Sequence, residues 1–336
     1  MDGPALYTTR FFLMGGSALV RFVDTRGRAS AELLARAVED EAYRIETKFS
    51  RYRESSVVSE INRNAGRTPV AVDEETGDLV QSALDLAHLT AGRFDPTVGV
   101  LRRVWDFKSE RVPSPGEVEG LLPLVDAGAV SMRDGTVFLR RPGMEIDLGG
   151  VGKEYAVDRI AALLRHEGVL SAIVNFAGDV HTVGSRGDGR RWSAGVVDPR
   201  DPRRCAFEVR VAGDAGIATS GNYERGFVKD GVRYHHILDA TTGWPARGVA
   251  SATVVADSTS RAGAFATASL LLGAEAGLAL LEAAPGIQGA LITEDGTIRA
   301  TTGMSRLTSL PPSAYPMLST GRWRRQEEGA GTAYGI

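Results

Sequence analysis

The chain has 336 residues, of which 43% are hydrophobic and 24% are charged, and its formal net charge is −3. This length and composition predict one large or two smaller soluble domains. Acidic and basic residues are mixed along the chain, which argues against a nucleic-acid partner, and the single cysteine excludes an intramolecular disulfide and a cysteine-based metal cluster.

The first residues give no sign of export or of a membrane anchor. Residues 1–4 read MDGP, with an acid and no basic stretch, and the apolar run at 11–14 is too short for a signal peptide or a membrane span. We therefore expect a cytoplasmic protein with no membrane partner. The one cysteine, Cys205, is interpreted as a small apolar filler in a strand.

The N-terminal third of the chain predicts a strand and two helices. Residues 17–23 alternate polar and apolar side chains, as a half-buried strand does. Ser30 is placed to cap a helix, and a second helix is predicted from residue 74 to residue 91, before Gly92. The first helix has an apolar stripe at helical spacing, formed by Leu34, Val38, Ala42, Ile45 and Phe49.

The rest of the chain mixes strands and helices without a strict βαβ rhythm. Strands are predicted near Val130 and at residues 137–139, 170–176, 205–211, 252–256 and 288–292, and helices at residues 153–166, 262–272 and 274–283. This mixture favours an α+β fold. We expect one domain over residues 1–323 and a disordered tail over 324–336, which is charged and then rich in glycine and alanine.

A glycine-rich segment directly before a predicted helix is the first candidate for ligand binding. Residues 147–155 read DLGGVGKEY, so Lys153 stands where the helix begins. Closely spaced glycines let backbone N–H groups approach phosphate oxygens, a helix N-terminus favours anions, and the lysine adds a point charge. The spacing matches neither a Walker loop nor a dinucleotide fingerprint. A plain strand-to-helix turn with a solvated lysine is the alternative.

Two further segments combine small polar residues with glycine or histidine. Residues 216–225 read GIATSGNYER, in which Ser220 and Gly221 suit phosphate or ribose oxygens, although the TSGN stretch at 219–222 is also typical of a plain turn. Residues 234–245 read YHHILDATTGWP. Adjacent histidines in a strand point to opposite faces, so only one can face a site, where a nearby aspartate would suit proton transfer. A purely structural role for the histidines is the alternative.

Taken in order, these segments resemble the FAD:protein FMN transferase (ApbE) family. That family carries a DLGG…K turn, an SG-Y loop, a HxxDxxTGxP block and a DAxxT helix. Other blocks of the chain resemble family patterns in the same order, namely FSRYRESS at 49–56 with Asn62, GRFDPTVG at 92–99 with Trp105, NFAGD at 175–179 and GVVDP at 195–199. The resemblance spans residues 14–307, and several blocks in one order are far more specific than one motif.

The resemblance implies a fold and a reaction. The fold would be α+β and T-fold-related, with mixed or antiparallel sheets flanked by helices and two lobes around a cleft that binds FAD. The reaction would move FMN from FAD onto a threonine or serine hydroxyl of an acceptor flavoprotein, releasing AMP with the help of Mg²⁺.

The resemblance also implies roles for individual residues. Tyr52 would stack on the isoalloxazine ring, Lys153 would hold the diphosphate in the catalytic centre, and His236 would be the catalytic base. Gly152 and Thr267 would supply oxygen ligands to the metal. The other residues implied for cofactor binding are Met14, Asn62, Asp95, Thr97, Asp147, Gly149, Gly150, Gly178, Asp179, Ser220, Gly221 and Asp239.

The chain departs from the family pattern at the metal site. The relevant helix reads AGAFAT, so Thr267 is present but Gly263 stands where the family has a metal-binding aspartate. Loss of an anionic ligand weakens a hard-cation site, because Mg²⁺ prefers carboxylate oxygens. Asp257 and Asp239 are candidate replacements. Glu154, where the family has glycine, can either compete with phosphate or replace the missing ligand.

Functions of different classes therefore stay open. The first is a flavin transferase that acts on a cytoplasmic acceptor. The second is a FAD-binding protein of the same fold that lacks transferase activity or performs other chemistry. The third is an α+β domain that binds no flavin, which requires every block to match by coincidence. Release of AMP from FAD separates the first from the second, and flavin binding separates both from the third.

Overall fold

The computed structural model describes residues 5–310 and Ala314. The predicted disordered tail, residues 324–336, lies outside the described residues, and the division of the chain at residue 323 stays a prediction. Within the described part, no helix is both long and apolar enough to cross a membrane.

Strands and helices intermix along the described chain. The strands are β1 (Ala5–Leu13), β2 (Gly16–Asp24), β3 (Val70–Ala71), β4 (Val130–Arg133), β5 (Thr136–Leu139), β6 (Ala172–Phe176), β7 (Asp179–Val183), β8 (Trp192–Asp198), β9 (Asp201–Val211), β10 (Ala215–Gly221), β11 (Gly226–Lys229), β12 (Val232–His235), β13 (Leu238–Asp239), β14 (Trp244–Pro245), β15 (Val249–Ala256), β16 (Gln288–Thr293) and β17 (Ile298–Ala300). The α-helices are α1 (Arg28–Phe49), α2 (Val57–Arg63), α3 (Glu74–Leu89), α4 (Pro115–Glu119), α5 (Gly152–His166), α6 (Thr259–Leu272) and α7 (Ala274–Ala283).

An eight-stranded sheet organises the chain, in the order β1-β2-β6-β7-β10-β15-β16-β17. Each neighbouring pair in it is antiparallel. The first two strands form a tight hairpin, because Met14 and Gly15 both have positive φ, 48° and 79°, as a two-residue type I′ turn requires. The predicted α+β class with antiparallel sheets flanked by helices is therefore confirmed.

The two faces of the sheet are covered differently. On one face, Val20 and Phe22 of β2 pack in one buried cluster with helices α1 and α5, and the apolar stripe of α1 is buried as predicted. On the other face, Val180 and Ile217 pack with Val209 and the rest of the β8–β9 hairpin. Helix α6 covers β10 and β15.

Strand alternation decides which side chains reach the helices. In β7, Val180 faces the β8–β9 hairpin, so Asp179 and His181 face the helical side. In β10, Ala218 packs with α6, and Ser220, two residues on, points the same way. The central strands thus present polar groups to the start of α5 and to α6.

Two expectations from the sequence are wrong, and the residue that caps helix α1 differs from the predicted one. Residues 216–221 belong to strand β10 rather than to a loop, because all of them pair with β15 and residues 216–217 also pair with β7. Cys205 is exposed on β9, so it is not a buried filler. Helix α1 begins after Gly27, three residues before the predicted cap, and the Ser30 hydroxyl instead donates to Asp24.

Candidate functional site

The glycine-rich turn before α5 is held by its own hydrogen bonds. Asp147 Oδ1 accepts from the backbone N–H of Gly149 at 2.8 Å, and the Gly152 N–H donates to the Leu148 carbonyl at 2.8 Å. A β-carbon at Gly150 would lie 2.7 Å from the Phe94 ring, so this close approach requires glycine. The turn leads into the first residues of α5, which present their N–H groups as a helix start does.

A cation and two carboxylates meet at the beginning of α5. The Lys153 ammonium forms an ion pair with Asp179 Oδ2 at 2.7 Å. Glu154 is 8% exposed, and its Oε2 has no hydrogen-bond partner among the described residues. Burial raises the pKa of Asp179, and burial together with the Asp179 charge raises the pKa of Glu154. Burial lowers the pKa of Lys153, but attraction to both carboxylates outweighs it, so the pKa lies above its usual value.

Helix α6 closes the same cluster. A β-carbon at Gly263 would lie 2.5 Å from Glu154 Cγ and 2.9 Å from its Oε1, so the glutamate side chain fills the space beside this glycine. One turn further along, the Thr267 hydroxyl is 2.9 Å from the Ser220 hydroxyl. The backbone N–H of Thr219 donates to Asp179 Oδ1 at 3.3 Å. Strands β7 and β10 and helices α5 and α6 therefore build one polar centre.

Tyr52 lies at the surface among charged residues. Its side chain is 73% exposed, an unusual position for a large aromatic ring. The guanidinium carbons of Arg51 and Arg102 lie 6.0 and 5.7 Å from the ring centroid, and Arg102 also donates to the Tyr52 hydroxyl. Arg51 pairs with Asp147 at 3.0 Å and with Glu145 at 2.5 Å, which connects the tyrosine to the glycine-rich turn.

Asn62, Asp95 and Thr97 are used inside the protein. Asn62 binds the backbone of Ile146 twice, at 3.0 and 2.7 Å, and so fixes the residue before Asp147. Asp95 is buried and accepts from both the N–H and the hydroxyl of Thr97, at 2.7 and 2.6 Å. Because these polar groups are satisfied internally, they position the surrounding segments.

His236 has one hydrogen-bonded ring nitrogen and one without a hydrogen-bond partner among the described residues. Its Nδ1 lies 3.2 Å from the Arg225 carbonyl oxygen, which can only accept, so Nδ1 carries the proton. Burial, with the charges of Arg225 and Arg102, lowers the pKa of His236 to about 4. At neutral pH the ring is uncharged and Nε2 can accept a proton. The Arg225 guanidinium also reaches the Met14 carbonyl, at 3.4 Å.

The neighbouring histidine has a different environment, as the strand alternation predicts. His235 is fully buried, and its Nε2 donates to the Ala246 carbonyl at 2.8 Å. Burial lowers the pKa of His235 to about 4, so this ring is also neutral at pH 7. Of these two histidines, only His236 is partly exposed.

Asp239 makes its side-chain contacts with residues outside this centre. One of its oxygens pairs with Arg93 at 2.9 Å and the other accepts from the N–H and hydroxyl of Thr241. It lines a cavity of about 530 Å³ with Trp244 and Arg247, which no other predicted site residue lines. Of the remaining glycines, Gly221 is the last residue of β10, and Gly178 directly precedes β7 with a φ of 98°.

Sequence reasoning missed three arginines around the candidate site. Arg51, Arg102 and Arg225 contact Tyr52, Asp147 or the surroundings of His236, as described above. Arg51 could have been found from its place next to Tyr52. Arg102 and Arg225 carry no local signal, because their neighbours in space are distant in the chain.

Comparisons with known proteins agree on one family. The ApbE family model matches residues 14–291. A FAD:protein FMN transferase of Treponema pallidum is 33% identical over 316 residues, which cover 89% of this chain and 87% of that protein. A FAD:protein FMN transferase of Vibrio cholerae is 31% identical over 275 residues, covering 80% and 82%.

Solved structures are similar over nearly the whole chain. The ApbE protein from Thermotoga maritima superposes with a TM-score of 0.81 at 36% identity, covering 90% of this chain and 99% of that one. The flavin transferase ApbE from Vibrio cholerae gives a TM-score of 0.80 at 28% identity, with the same coverage.

Proposed function

Because the chain belongs to the ApbE family, we propose that it is a FAD:protein FMN transferase. It takes FAD as substrate and moves FMN onto a threonine or serine hydroxyl of an acceptor flavoprotein, with release of AMP. The acceptor oxygen forms a bond to the phosphorus of the FMN half, the bond from that phosphorus to the bridging oxygen breaks, and AMP leaves with that oxygen. A cytoplasmic location for the protein and its acceptor stays a prediction of the sequence.

The observation that carries the proposal is the polar centre at the start of α5. A glycine-rich turn, a helix N-terminus, Lys153 and the hydroxyl of Ser220 converge there. Backbone N–H groups and a lysine favour a diphosphate, while the exposed Tyr52 offers a flat apolar surface to a flavin ring. Tyr52 is connected to this turn through Arg51 and Asp147.

The same centre fits Mg²⁺. Two buried carboxylates face one lysine, and Glu154 Oε2 lacks a hydrogen-bond partner among the described residues, so an oxygen is available to a hard cation. The Gly152 carbonyl and Thr267 hydroxyl are the other proposed ligands. When bound, the ion would neutralise charge on the pyrophosphate.

His236 is the proposed base. A hydroxyl is a weak nucleophile at neutral pH, and the free Nε2 of a neutral imidazole can take its proton as the oxygen attacks. The Arg225 carbonyl fixes the tautomer that leaves Nε2 unprotonated. Lys153 holds the diphosphate and offsets negative charge on the phosphate oxygens.

A FAD-binding protein without transferase activity is the second candidate. The observation that favours it is Gly263, which leaves α6 without a carboxylate at this position. Such a protein would bind FAD and leave it intact.

Incubation with FAD and Mg²⁺ separates the two. The transferase releases AMP, measured by chromatography, and adds the mass of FMN to a candidate acceptor carrying a threonine or serine. The second candidate would be supported if FAD binds but neither AMP release nor acceptor modification is detected. This result should hold across the acceptors tested and with Mn²⁺ substituted for Mg²⁺. FAD that does not bind at all would contradict both.

A further inference from the structure

The carboxylate of Glu154 occupies the place that a side chain at position 263 would take. A β-carbon at Gly263 would lie 2.5 Å from Glu154 Cγ, closer than real side chains approach. The two positions are 109 residues apart in sequence but adjacent in space, on the facing surfaces of α5 and α6. An acidic side chain from α5 therefore fills the site where the family pattern has one from α6.

We propose that Glu154 is the anionic metal ligand of this protein, supplied by α5 in place of the missing α6 aspartate, and that it binds a divalent cation together with Asp179 and Thr267. The inference rests on the proposed function for its place in the reaction. It concerns a ligand specific to this chain.

Burial and charge favour a cation at Glu154. The side chain is more than nine-tenths buried and its Oε2 has no partner among residues 5–310, although an unpaired buried oxygen is costly. Glu154 and Asp179 place two carboxylates beside one ammonium group, that of Lys153. The two carboxyl groups offer more acceptor oxygens than the one ammonium group occupies, and oxygen-preferring divalent cations suit such a site.

The other candidate carboxylates are engaged elsewhere. Asp257 is 73% exposed at its side chain and pairs with Arg261 at 3.1 Å. Asp239 pairs with Arg93 and the turn at Thr241. Thr267 lies one helical turn beyond Gly263, on the same face of α6, and its hydroxyl lies 2.9 Å from the Ser220 hydroxyl.

The test measures Mn²⁺ binding by the loss of the free-ion signal in electron paramagnetic resonance, without and with FAD. Glu154→Gln keeps the shape of the side chain and removes its charge. Loss of a residue that only supports a metal ligand weakens metal binding by roughly 10- to 100-fold. Because Glu154 is proposed as a direct ligand, we expect Glu154→Gln to weaken Mn²⁺ binding by at least that factor. Asp257→Asn, which removes a nearby exposed carboxylate, should leave binding unchanged.

The double variant Glu154→Ala with Gly263→Asp returns the carboxylate to α6. It should recover much of the Mn²⁺ affinity that Glu154→Ala alone loses. If the double variant does not fold, the comparison of Glu154→Gln with Asp257→Asn decides. Glu154→Gln that binds Mn²⁺ within about twofold of the unmodified protein overturns the inference, and so does unmodified protein that binds no Mn²⁺ in either condition.

FAD affinity, followed by quenching of flavin fluorescence, separates the two proposals. FAD binding with Mn²⁺ affinity insensitive to Glu154→Gln overturns the ligand assignment and leaves the flavin function standing. Absence of FAD binding overturns the proposed function, whereas the effect of Glu154→Gln on Mn²⁺ alone still tests the ligand.

Discussion

At the scale of single residues, Tyr52 combines exposure with a fixed orientation. The ring is held by contacts with Arg51 and Arg102 while most of its surface remains open. A ring fixed in this way loses little conformational freedom when a flat ligand stacks on it. Exposed aromatic surface is thus a property of the free protein that flavin binding would use.

Replacement of Tyr52 tests stacking directly. We expect Tyr52→Ala to weaken FAD binding by roughly 1–3 kcal/mol, because the ring surface is lost. Tyr52→Phe retains the ring and loses only the hydroxyl bound by Arg102, so it should stay close to the unmodified protein. Isothermal titration with FAD measures both, and unchanged affinity in Tyr52→Ala would remove this residue from the site.

The proposed role of His236 as the base predicts how its replacement and how pH affect the rate of FMN transfer. His236→Ala should abolish FMN transfer while FAD remains bound, since Nε2 acts on the acceptor proton. Because the pKa of His236 is lowered to about 4, the neutral base is present above that pH and is lost as the pH falls through it. This group should therefore give transfer no pH dependence between about pH 6 and 8. Turnover retained in His236→Ala would show that another group is the base.

At the scale of elements, Asp158 joins α5, α6 and β7. Its two oxygens accept from the backbone N–H groups of Thr259 and Ser260 at 2.7 and 2.8 Å, and one also contacts His181 Nδ1 at 2.8 Å. These bonds outweigh the effect of burial and lower the pKa of Asp158. The carboxylate of one helix thus satisfies the first turn of the next, which fixes the two helices around the polar centre.

Asp158→Asn should lower the free energy of unfolding by about 1–3 kcal/mol, since an amide replaces an acceptor that faces backbone donors. Asp257→Asn removes a carboxylate beside the same helix end, but an exposed one, and should cost less than about 0.5 kcal/mol. Urea unfolding at neutral pH compares the two. Equal losses would show that Asp158 does not hold the helices together.

Whether a helix or strand can be predicted from the sequence depends on how many of its faces are buried. Helix α1 could be predicted because only one of its faces is buried, so Leu34, Val38 and Ala42 recur at helical spacing. Strand β7 is buried on both faces, and β10 carries buried and polar residues without alternation, so neither gives a period-2 pattern. In the candidate site, likewise, only features with a local sequence pattern could be predicted. Lys153 was predicted from its local motif, whereas the contact of Glu154 with Gly263 depends on the packing of α5 against α6.

At the scale of the whole molecule, ligand binding should couple to unfolding. The candidate residues lie on α5, α6, β7 and β10 and on the segments before them, so the site exists only when these elements are assembled. A ligand that binds only the folded chain stabilises it in proportion to the logarithm of its concentration.

FAD at about 100 times its dissociation constant should stabilise the protein by roughly 2.7 kcal/mol. This corresponds to a rise of several degrees in Tm. Scanning calorimetry with FAD measures the shift, and adenosine at the same concentration is the control for an effect of the nucleoside alone. A Tm that FAD leaves unchanged at saturating concentration would contradict flavin binding.

The close approach of Glu154 to Gly263 also constrains how such a site can change in evolution. An aspartate introduced at 263 while Glu154 remains would force the glutamate side chain to move, since even a β-carbon there lies 2.5 Å from Cγ. Loss of Glu154 first would leave a glycine and no acid in its place. Each single step is therefore disfavoured, and descendants are expected to inherit the residues at 154 and 263 as a linked pair.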